Sequence, residues 1–247
     1  MLKICCLYFE GKYEPEYIGR LYRSLKRNCS IDFEFICYSD TLDVEADRVI
    51  PLPKDTEIQL HWHKLRFFDK DFIGEGDIIV LDIDQVVVND ITDMLSWKVK
   101  EKELVSYEKW WTVNPNGLPI NGGWYKFKSG SLNFVWDKFN SNIDKWQRYY
   151  HDNGTVGFLF YGEQNFVYDT CIENDCTVTQ MPGKWTAKYD TDVILNSKYN
   201  MWYAEKFDAD FMIMGEEIWP ELKIVHFANV GNNIHEHPDE WISKHWK

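Results

Sequence analysis

The chain has 247 residues, of which 27 are Lys or Arg and 40 are Asp or Glu, giving a formal net charge of −13. This length predicts one domain with a sizeable core, and the acidic balance argues against a nucleic acid polymer as partner. The sequence has no apolar stretch of roughly 18 residues that would span a membrane, and its start is too quickly polar for a signal peptide. Six cysteines without metal-site spacing are typical of free thiols, so we predict a cytoplasmic location.

The first third of the sequence alternates between predicted strands and helices. Apolar alternation and short apolar runs predict strands at 2–9, 32–38, 48–51 and 77–84. Helical spacing predicts one helix that begins at Glu14-Pro15 and another over 61–72. This alternation predicts an α/β fold of Rossmann-like type, with a mostly parallel central sheet flanked by helices.

The pattern changes after about residue 105, where loops rich in Asn and Gly separate short segments. A helix is predicted over 131–150, and a strand over 222–227. The sequence has neither a low-complexity linker nor an internal repeat, so residues 1–247 are predicted to form a single domain.

Two aspartates, Asp82 and Asp84, end the predicted strand 77–84. Residues i and i+2 of a strand face the same side, and ligands of open α/β sheets bind where such strands end. Two neighbouring carboxylates repel each other unless a cation joins them. The pair therefore predicts a site for Mn²⁺ or Mg²⁺, with a solvated strand end as the alternative.

Five short segments occur in a fixed order along the chain. They are His63-Lys64-Leu65, Val80-Leu81-Asp82-Ile83-Asp84-Gln85-Val86-Val87-Val88-Asn89-Asp90-Ile91, Ile120-Asn121-Gly122-Gly123, Gly162-Glu163-Gln164-Asn165 and Lys223-Ile224-Val225-His226-Phe227. Taken together, they resemble motifs of the nucleotide-sugar glycosyltransferases of GT-A fold, most of all the retaining family-8 type, which includes glycogenin and galactosyltransferase relatives.

The resemblance implies a metal-dependent transfer of a sugar from a nucleoside-diphosphate sugar, with UDP favoured, to a carbohydrate or glycan acceptor. It implies that Asp82, Asp84 and His226 hold Mn²⁺ or Mg²⁺. Residues 1–105 would form the nucleotide-binding half and residues 106–247 the acceptor-side half. Retention of configuration is the expected outcome.

The resemblance also implies further site residues. The catalytic group would comprise Glu163, Gln164 and Asp84. The donor-binding group would comprise Tyr8, which stacks on the base, and Lys64, Asp82, Asn121, Gly122, Gly123, Gly231 and Asn232.

Three departures from the family pattern concern donor binding. The family lysine that holds the diphosphate is missing after His226, so Asn232 and Asn233, Lys64 or another base would replace it. The serine of the Asn-Ser-Gly segment is absent, and Glu163 stands where the family has aspartate. Glu163 would be the acceptor's base if the enzyme inverted configuration.

Two other function classes remain open from the sequence. A haloacid-dehalogenase-like phosphatase would use Asp82 as nucleophile, although its motif normally lies on the first strand. A non-catalytic carbohydrate-binding module would use the same carboxylates and aromatic rings without turnover. The aromatic residues that could stack on an acceptor sugar are Trp110, Trp111, Trp124, Tyr125, Trp185 and Trp202.

Overall fold

The computed structural model describes residues 1–54, 56–107, 120–154, 162–189, 213–214, 217–227 and 233–247. The contacts divide the chain into two compact units. The first unit comprises 1–10, 32–82 and 98–180, and the second comprises 11–31, 83–97 and 181–247. Each unit therefore draws on segments of both predicted halves, and the single domain stays a prediction.

A seven-stranded sheet forms the centre of the first unit, in the order β3-β2-β1-β4-β7-β6-β8. Strands β1 to β4 are parallel to one another, whereas β7 runs antiparallel to both β4 and β6. The strand bounds are β1 Leu2–Tyr8, β2 Phe33–Ser39, β3 Arg48–Pro51, β4 Asp77–Leu81, β6 Glu103–Tyr107, β7 Trp124–Lys128 and β8 Thr177–Met181. The predicted α/β fold with a mostly parallel sheet is confirmed.

The central strands are buried along almost their whole length because helices supply apolar side chains to the sheet. Trp62, Leu65 and Phe68 come from the segment before β4. The helices of this unit are a 3₁₀ helix Leu60–Phe68, α2 Lys70–Ile73, α4 Asn133–Ser141, α5 Ile143–Gly154 and α6 Glu163–Glu173. The predicted helix over 131–150 is thus two helices, interrupted at Asn142.

The second unit contains a three-stranded sheet in the order β5-β12-β9, in which β12 is antiparallel to β5 and parallel to β9. Helix α1 packs on β5 through its apolar stripe, and the hydroxyl of Ser24 donates to the carbonyl of Val87 at 3.3 Å. The helices and strands of the second unit are α1 Glu16–Arg27, β5 Gln85–Val87, α3 Thr92–Leu95, a 3₁₀ turn Gly183–Trp185, β9 Thr186–Lys188, β10 Ile213–Met214, β11 Glu217–Ile218, β12 Ile224–His226, a 3₁₀ turn Ile234–Glu236 and α7 Glu240–His245.

The predicted strand 77–84 is wrong at its end, because β4 stops at Leu81 and β5 begins at Gln85 in another sheet. The backbone N–H of Asp82 donates to the carbonyl of Gly123 at 3.0 Å, which continues the β4–β7 pairing by one residue. The carbonyl of Asp84 accepts from the N–H of Phe227 at 2.8 Å, which begins the β5–β12 pairing. Asp82 therefore extends the pairing of the first unit's sheet, and Asp84 begins the pairing of the second unit's sheet.

The helices within the described ranges are all too short or too polar to cross a membrane. The six cysteines are free thiols, as the sequence predicted, and five of them are buried.

Phe127 tests the packing of the first unit, since its ring stacks on Phe68 with a centroid separation of 4.4 Å and an angle of 7°. Phe127 is 1% exposed, so we expect Phe127→Ala to lower the free energy of unfolding by about 3–5 kcal/mol through cavity formation. The control Ile172→Ala, at a half-exposed position of α6, should change it by less than about 0.5 kcal/mol. Urea unfolding measures both; equal effects would contradict the packing described.

Candidate active site

A buried lysine joins two carboxylates at the end of β4 in the first unit. The ammonium nitrogen of Lys64 lies 2.6 Å from Oδ1 of Asp82 and 3.3 Å from Oε1 of Glu163. It also donates to the carbonyl of Gly122 at 3.0 Å. The side chains of Lys64 and Glu163 are almost completely buried, while 31% of the Asp82 side chain is exposed. Asp82 thus presents the accessible carboxylate of this cluster.

The charged groups of this cluster shift the pKa values of Lys64 and Tyr125. Burial by itself would lower the pKa of Lys64, but the carboxylates of Asp82 and Glu163 outweigh it and raise that pKa above its usual value. Burial, and then the negative charge of the same two carboxylates, raises the pKa of the Tyr125 phenol well above its usual value. At neutral pH, Lys64 is therefore a cation and Tyr125 a neutral phenol in the folded protein.

The loop before β7 contacts the start of α6. The N–H of Gly122 donates to Oε1 of Gln164 at 2.9 Å, and the N–H of Gly123 donates to Oδ1 of Asn121 at 2.7 Å. A side chain at Gly122 would place its Cβ only 2.7 Å from Oε1 of Glu163, so it would displace the carboxylate that Lys64 binds. These contacts fix the amide of Gln164 and the side chain of Asn121 beside the lysine.

The first turn of α6 is placed by Gly162, whose φ of +117° lies in the region that favours glycine. A Cβ there would lie 2.7 Å from Nε2 of His61. The same His61 nitrogen lies 3.8 Å from Oε2 of Glu163. Glu163 is therefore held at Oε1 by Lys64, and the imidazole of His61 lies near its Oε2.

Asp84 occupies a different environment, in the second unit. Its side chain is 4% exposed, and its Oδ2 accepts a hydrogen bond of 2.6 Å from the hydroxyl of Tyr13. Tyr13 stacks on Tyr17 of α1 with a centroid separation of 4.8 Å. Tyr13 is not predictable from the sequence, because a tyrosine in a loop of mixed composition carries no motif.

The buried imidazole of His226 belongs to β12 of the same unit and is 1% exposed. His226 pairs with Gln85, the residue after Asp84, so β12 runs directly beside the start of β5. A carboxylate and an imidazole are donors that suit Mn²⁺, and a hydroxyl bound to the carboxylate is a typical outer-shell contact. The chemistry of Asp84 and His226 thus fits a divalent cation.

The described ranges hold no cluster of three or more His, Cys, Asp or Glu side chains that could hold a metal ion by themselves. The carboxylate of Asp82 is engaged by Lys64. The three-residue set of Asp82, Asp84 and His226 therefore stays a prediction, and any further ligands would come from the bound molecule or water.

Some of the other predicted site residues are buried, and some lie outside the residues that the structure describes. Tyr8 ends β1 but is 2% exposed, which is typical of a core residue, and its stacking role stays a prediction. Gly231 and Asn232 lie outside the described residues, as do Trp110, Trp111 and Trp202.

Trp124 and Tyr125, two of the aromatic residues predicted to stack on an acceptor sugar, are fully buried, whereas Trp185 is partly exposed. Among the six aromatic residues, Trp185 is thus the one described with accessible ring surface.

Comparison with known proteins finds no family model that matches this sequence and no match among the curated proteins. The fold, however, is similar to that of solved glycosyltransferases. The galactosyltransferase LgtC, solved in complex with donor and acceptor sugar analogs, aligns over 98% of this chain and 94% of its own, with 10% identity and a TM-score of 0.60.

A second similar structure is the glycosyltransferase GlyE of Streptococcus pneumoniae, which aligns over 93% of this chain with 13% identity and a TM-score of 0.60. This chain spans 56% of the GlyE chain. An active-site mutant of LgtC, in which a glutamine is replaced by glutamate, also has a TM-score of 0.60. The GT-A fold expected from the sequence is therefore confirmed.

Lys64→Met tests the charge cluster, because it leaves the carboxylates of Asp82 and Glu163 without their cation. We expect a loss of about 3–5 kcal/mol in the free energy of unfolding. The matched control is Lys128→Met, whose ion pair with Glu101 is largely exposed and should contribute much less.

The pH dependence of this loss follows from the raised pKa of Lys64. A group whose pKa is raised on folding contributes fully below its unfolded value, here 10.5, and the contribution fades only as the pH rises through the higher folded value. Unfolding of the wild type and Lys64→Met at neutral pH and at about pH 9 should therefore give the same difference. A difference that shrinks by pH 9 would contradict the assignment.

Proposed function

We propose that the protein transfers a sugar from a nucleoside-diphosphate sugar, preferably a UDP-sugar, to a hydroxyl of a carbohydrate acceptor. The proposed reaction depends on Mn²⁺ or Mg²⁺ and retains the anomeric configuration. The observation that carries the proposal is the Lys64 cluster, in which segments around residues 64, 82, 122 and 163 meet. These segments were selected from the sequence by their resemblance to glycosyltransferase motifs.

The position of the cluster supports a donor site. Asp82 directly follows β4, and β1 and β4 are neighbours although β2 and β3 come between them in sequence. In α/β sheets, ligands bind beyond the carboxyl ends of the strands where the strand order reverses. We infer that Asp82 and Asn121 receive the hydroxyl groups of the donor, while Lys64 holds Asp82 in its orientation.

The contacts of Glu163 favour retention over inversion. A general base must be able to take a proton from the acceptor hydroxyl. Glu163 is buried, paired with Lys64 and close to His61, so it balances charge and positions its neighbours instead. Gln164, whose Oε1 is fixed by Gly122, is the neutral group that supports the reacting face of the sugar. LgtC, in which an active-site glutamine was mutated, supports a role for this residue type.

Asp84 and His226 are the residues that would hold the divalent cation, with Tyr13 orienting the carboxylate of Asp84. Bound there, the cation would neutralise the negative charge that develops on the leaving diphosphate. The role of Asp82 as a further ligand rests on the sequence motif. A cytoplasmic location likewise remains a proposal from the sequence.

Asp84→Asn tests the metal assignment, since it removes the charge but keeps the size of the side chain. Thermal unfolding of the wild type with UDP, GDP and other nucleoside diphosphates, with and without Mn²⁺, should show stabilisation by one nucleotide only when metal is present. At 100 times Kd this corresponds to about 2.7 kcal/mol. In Asp84→Asn the metal-dependent stabilisation should disappear.

The matched control is Asp90→Asn, which removes an exposed carboxylate of the same unit and should respond like the wild type. Release of the nucleoside diphosphate in the presence of candidate acceptors measures turnover. Full metal-dependent turnover by Asp84→Asn would overturn the assignment. No response to any nucleoside diphosphate, together with binding of a carbohydrate, would favour a carbohydrate-binding module, and hydrolysis of an aryl phosphate with Mg²⁺ would favour a phosphatase.

A further inference from the structure

The second unit contains a cavity of about 150 Å³ that the proposed reaction does not use. A cavity of this size accommodates a molecule as large as benzene, and therefore a phosphate-sized ion. It is lined by Arg20, His235, His237, Ile242, Ser243 and Trp246. None of these six is acidic, in a chain whose net charge is −13. The lining thus carries the positive charge of Arg20 and no carboxylate side chain.

Arg20 of α1 is the permanent cation of the cavity. Its Nη1 donates to the carbonyl of Trp246 at 3.3 Å, and its Nε lies 3.7 Å from Oε1 of Glu16. That separation is too long for a hydrogen bond, and the same Glu16 oxygen is held at 2.6 Å by Arg23. Since a guanidinium carries five N–H donors, Arg20 keeps donors for a ligand.

Two nitrogens of the lining residues are shielded from solvent, namely Nε2 of His237 and Nε1 of Trp246. Neither has a hydrogen-bond partner in the part of the chain that the structure describes. Trp246 is 2% exposed, and burying a polar group without a partner is unfavourable. An indole N–H can only donate, so the missing partner of Trp246 must be an acceptor. Nε2 of His237 donates to the same kind of partner when it carries the ring proton.

The nearest acidic residue on the histidine segment is engaged elsewhere. Oε2 of Glu236 accepts from the N–H of Asn233 at 3.0 Å, and its Oε1 accepts from Nδ2 of Asn233 at 3.1 Å. These bonds cap the 3₁₀ turn Ile234–Glu236, which contains His235 and ends just before His237. Glu236 therefore shapes the turn that carries His235 and His237, and it does not line the cavity.

We infer that this cavity binds an oxyanion of the phosphate class, with Arg20 as its cation and Trp246 and His237 as further donors. Arginine and indole donors around a compact anion are the typical chemistry for this ligand. The inference goes beyond glycosyl transfer, because it needs neither metal nor turnover. The oxyanion comes either from the diphosphate of a nucleotide or from a separate phosphate.

A chain of contacts runs from the wall of the cavity to Asp84. A nucleotide whose diphosphate enters the cavity is therefore one testable source of the oxyanion. The hydroxyl of Tyr17 accepts from the N–H of Ile234 at 2.9 Å, beside His235. The ring of Tyr17 contacts Trp246 edge-on at 5.2 Å and stacks on Tyr13, which donates to Asp84. The wall of the cavity and the proposed cation ligand thus share one aromatic pair within the second unit.

The test is calorimetric titration of the metal-free protein with inorganic phosphate and with pyrophosphate. Arg20→Gln should weaken binding about tenfold or more, since a charge-assisted contact is lost. Trp246→Phe keeps the aromatic ring but removes the N–H donor, and should weaken binding about three- to tenfold. The control Lys26→Gln removes a charge from an exposed position of α1 and should leave affinity unchanged.

A second titration distinguishes the sources of the oxyanion. If phosphate and the nucleoside diphosphate compete, and Arg20→Gln weakens both, the cavity receives the nucleotide's diphosphate. If they bind together and Arg20→Gln affects phosphate alone, the cavity is a separate phosphate site. The inference is overturned if the wild type binds neither anion, or if Arg20→Gln and Trp246→Phe, with unchanged thermal stability, bind as the wild type does.

Discussion

The ion pairs of Lys64 determine how the site of the first unit is built. A buried ammonium is unfavourable unless carboxylates compensate it, and here Asp82 and Glu163 do so. The lysine comes from the 3₁₀ helix before β4, Asp82 follows β4, and Glu163 begins α6. One cation therefore fixes three segments. Lys64, Asp82 and Glu163 together carry a net charge of −1. The carboxylate oxygens of the cluster can accept hydrogen bonds from the hydroxyl groups of a ligand. Its one cation is already paired and is not available to a diphosphate.

Two glycines make this arrangement sterically possible. At Gly122 a Cβ would meet Glu163, and at Gly162 a Cβ would meet His61. The backbone therefore approaches these two side chains so closely that a Cβ at either glycine would force them to shift. This explains why glycines occur in both segments selected from the sequence, although their spacing alone predicts no contact between residues 122 and 163.

The sequence predicted the α/β fold and the segments of the Lys64 cluster because apolar periodicity and motif order are local properties. It was wrong about the strand end, since apolar residues continue through Ile83 while the hydrogen-bond partner changes from Gly123 to Phe227. Which partner a strand finds is a tertiary property and leaves no local pattern. Tyr13 and the cavity around Arg20 were missed for the same reason, because their residues are distant in sequence.

The net charge of −13 constrains how an anionic nucleotide could be bound. An acidic protein repels such a ligand at long range, so attraction must come from local positive groups. Lys64 is compensated by two carboxylates and contributes little to that attraction. A cation at Asp84 and the donors of Arg20 would supply it, and both lie in the second unit, joined by Tyr13 and Tyr17. Each of the two proposed sites would attract an anion, and competition between phosphate and nucleotide is therefore the measurement that shows whether they serve the same ligand.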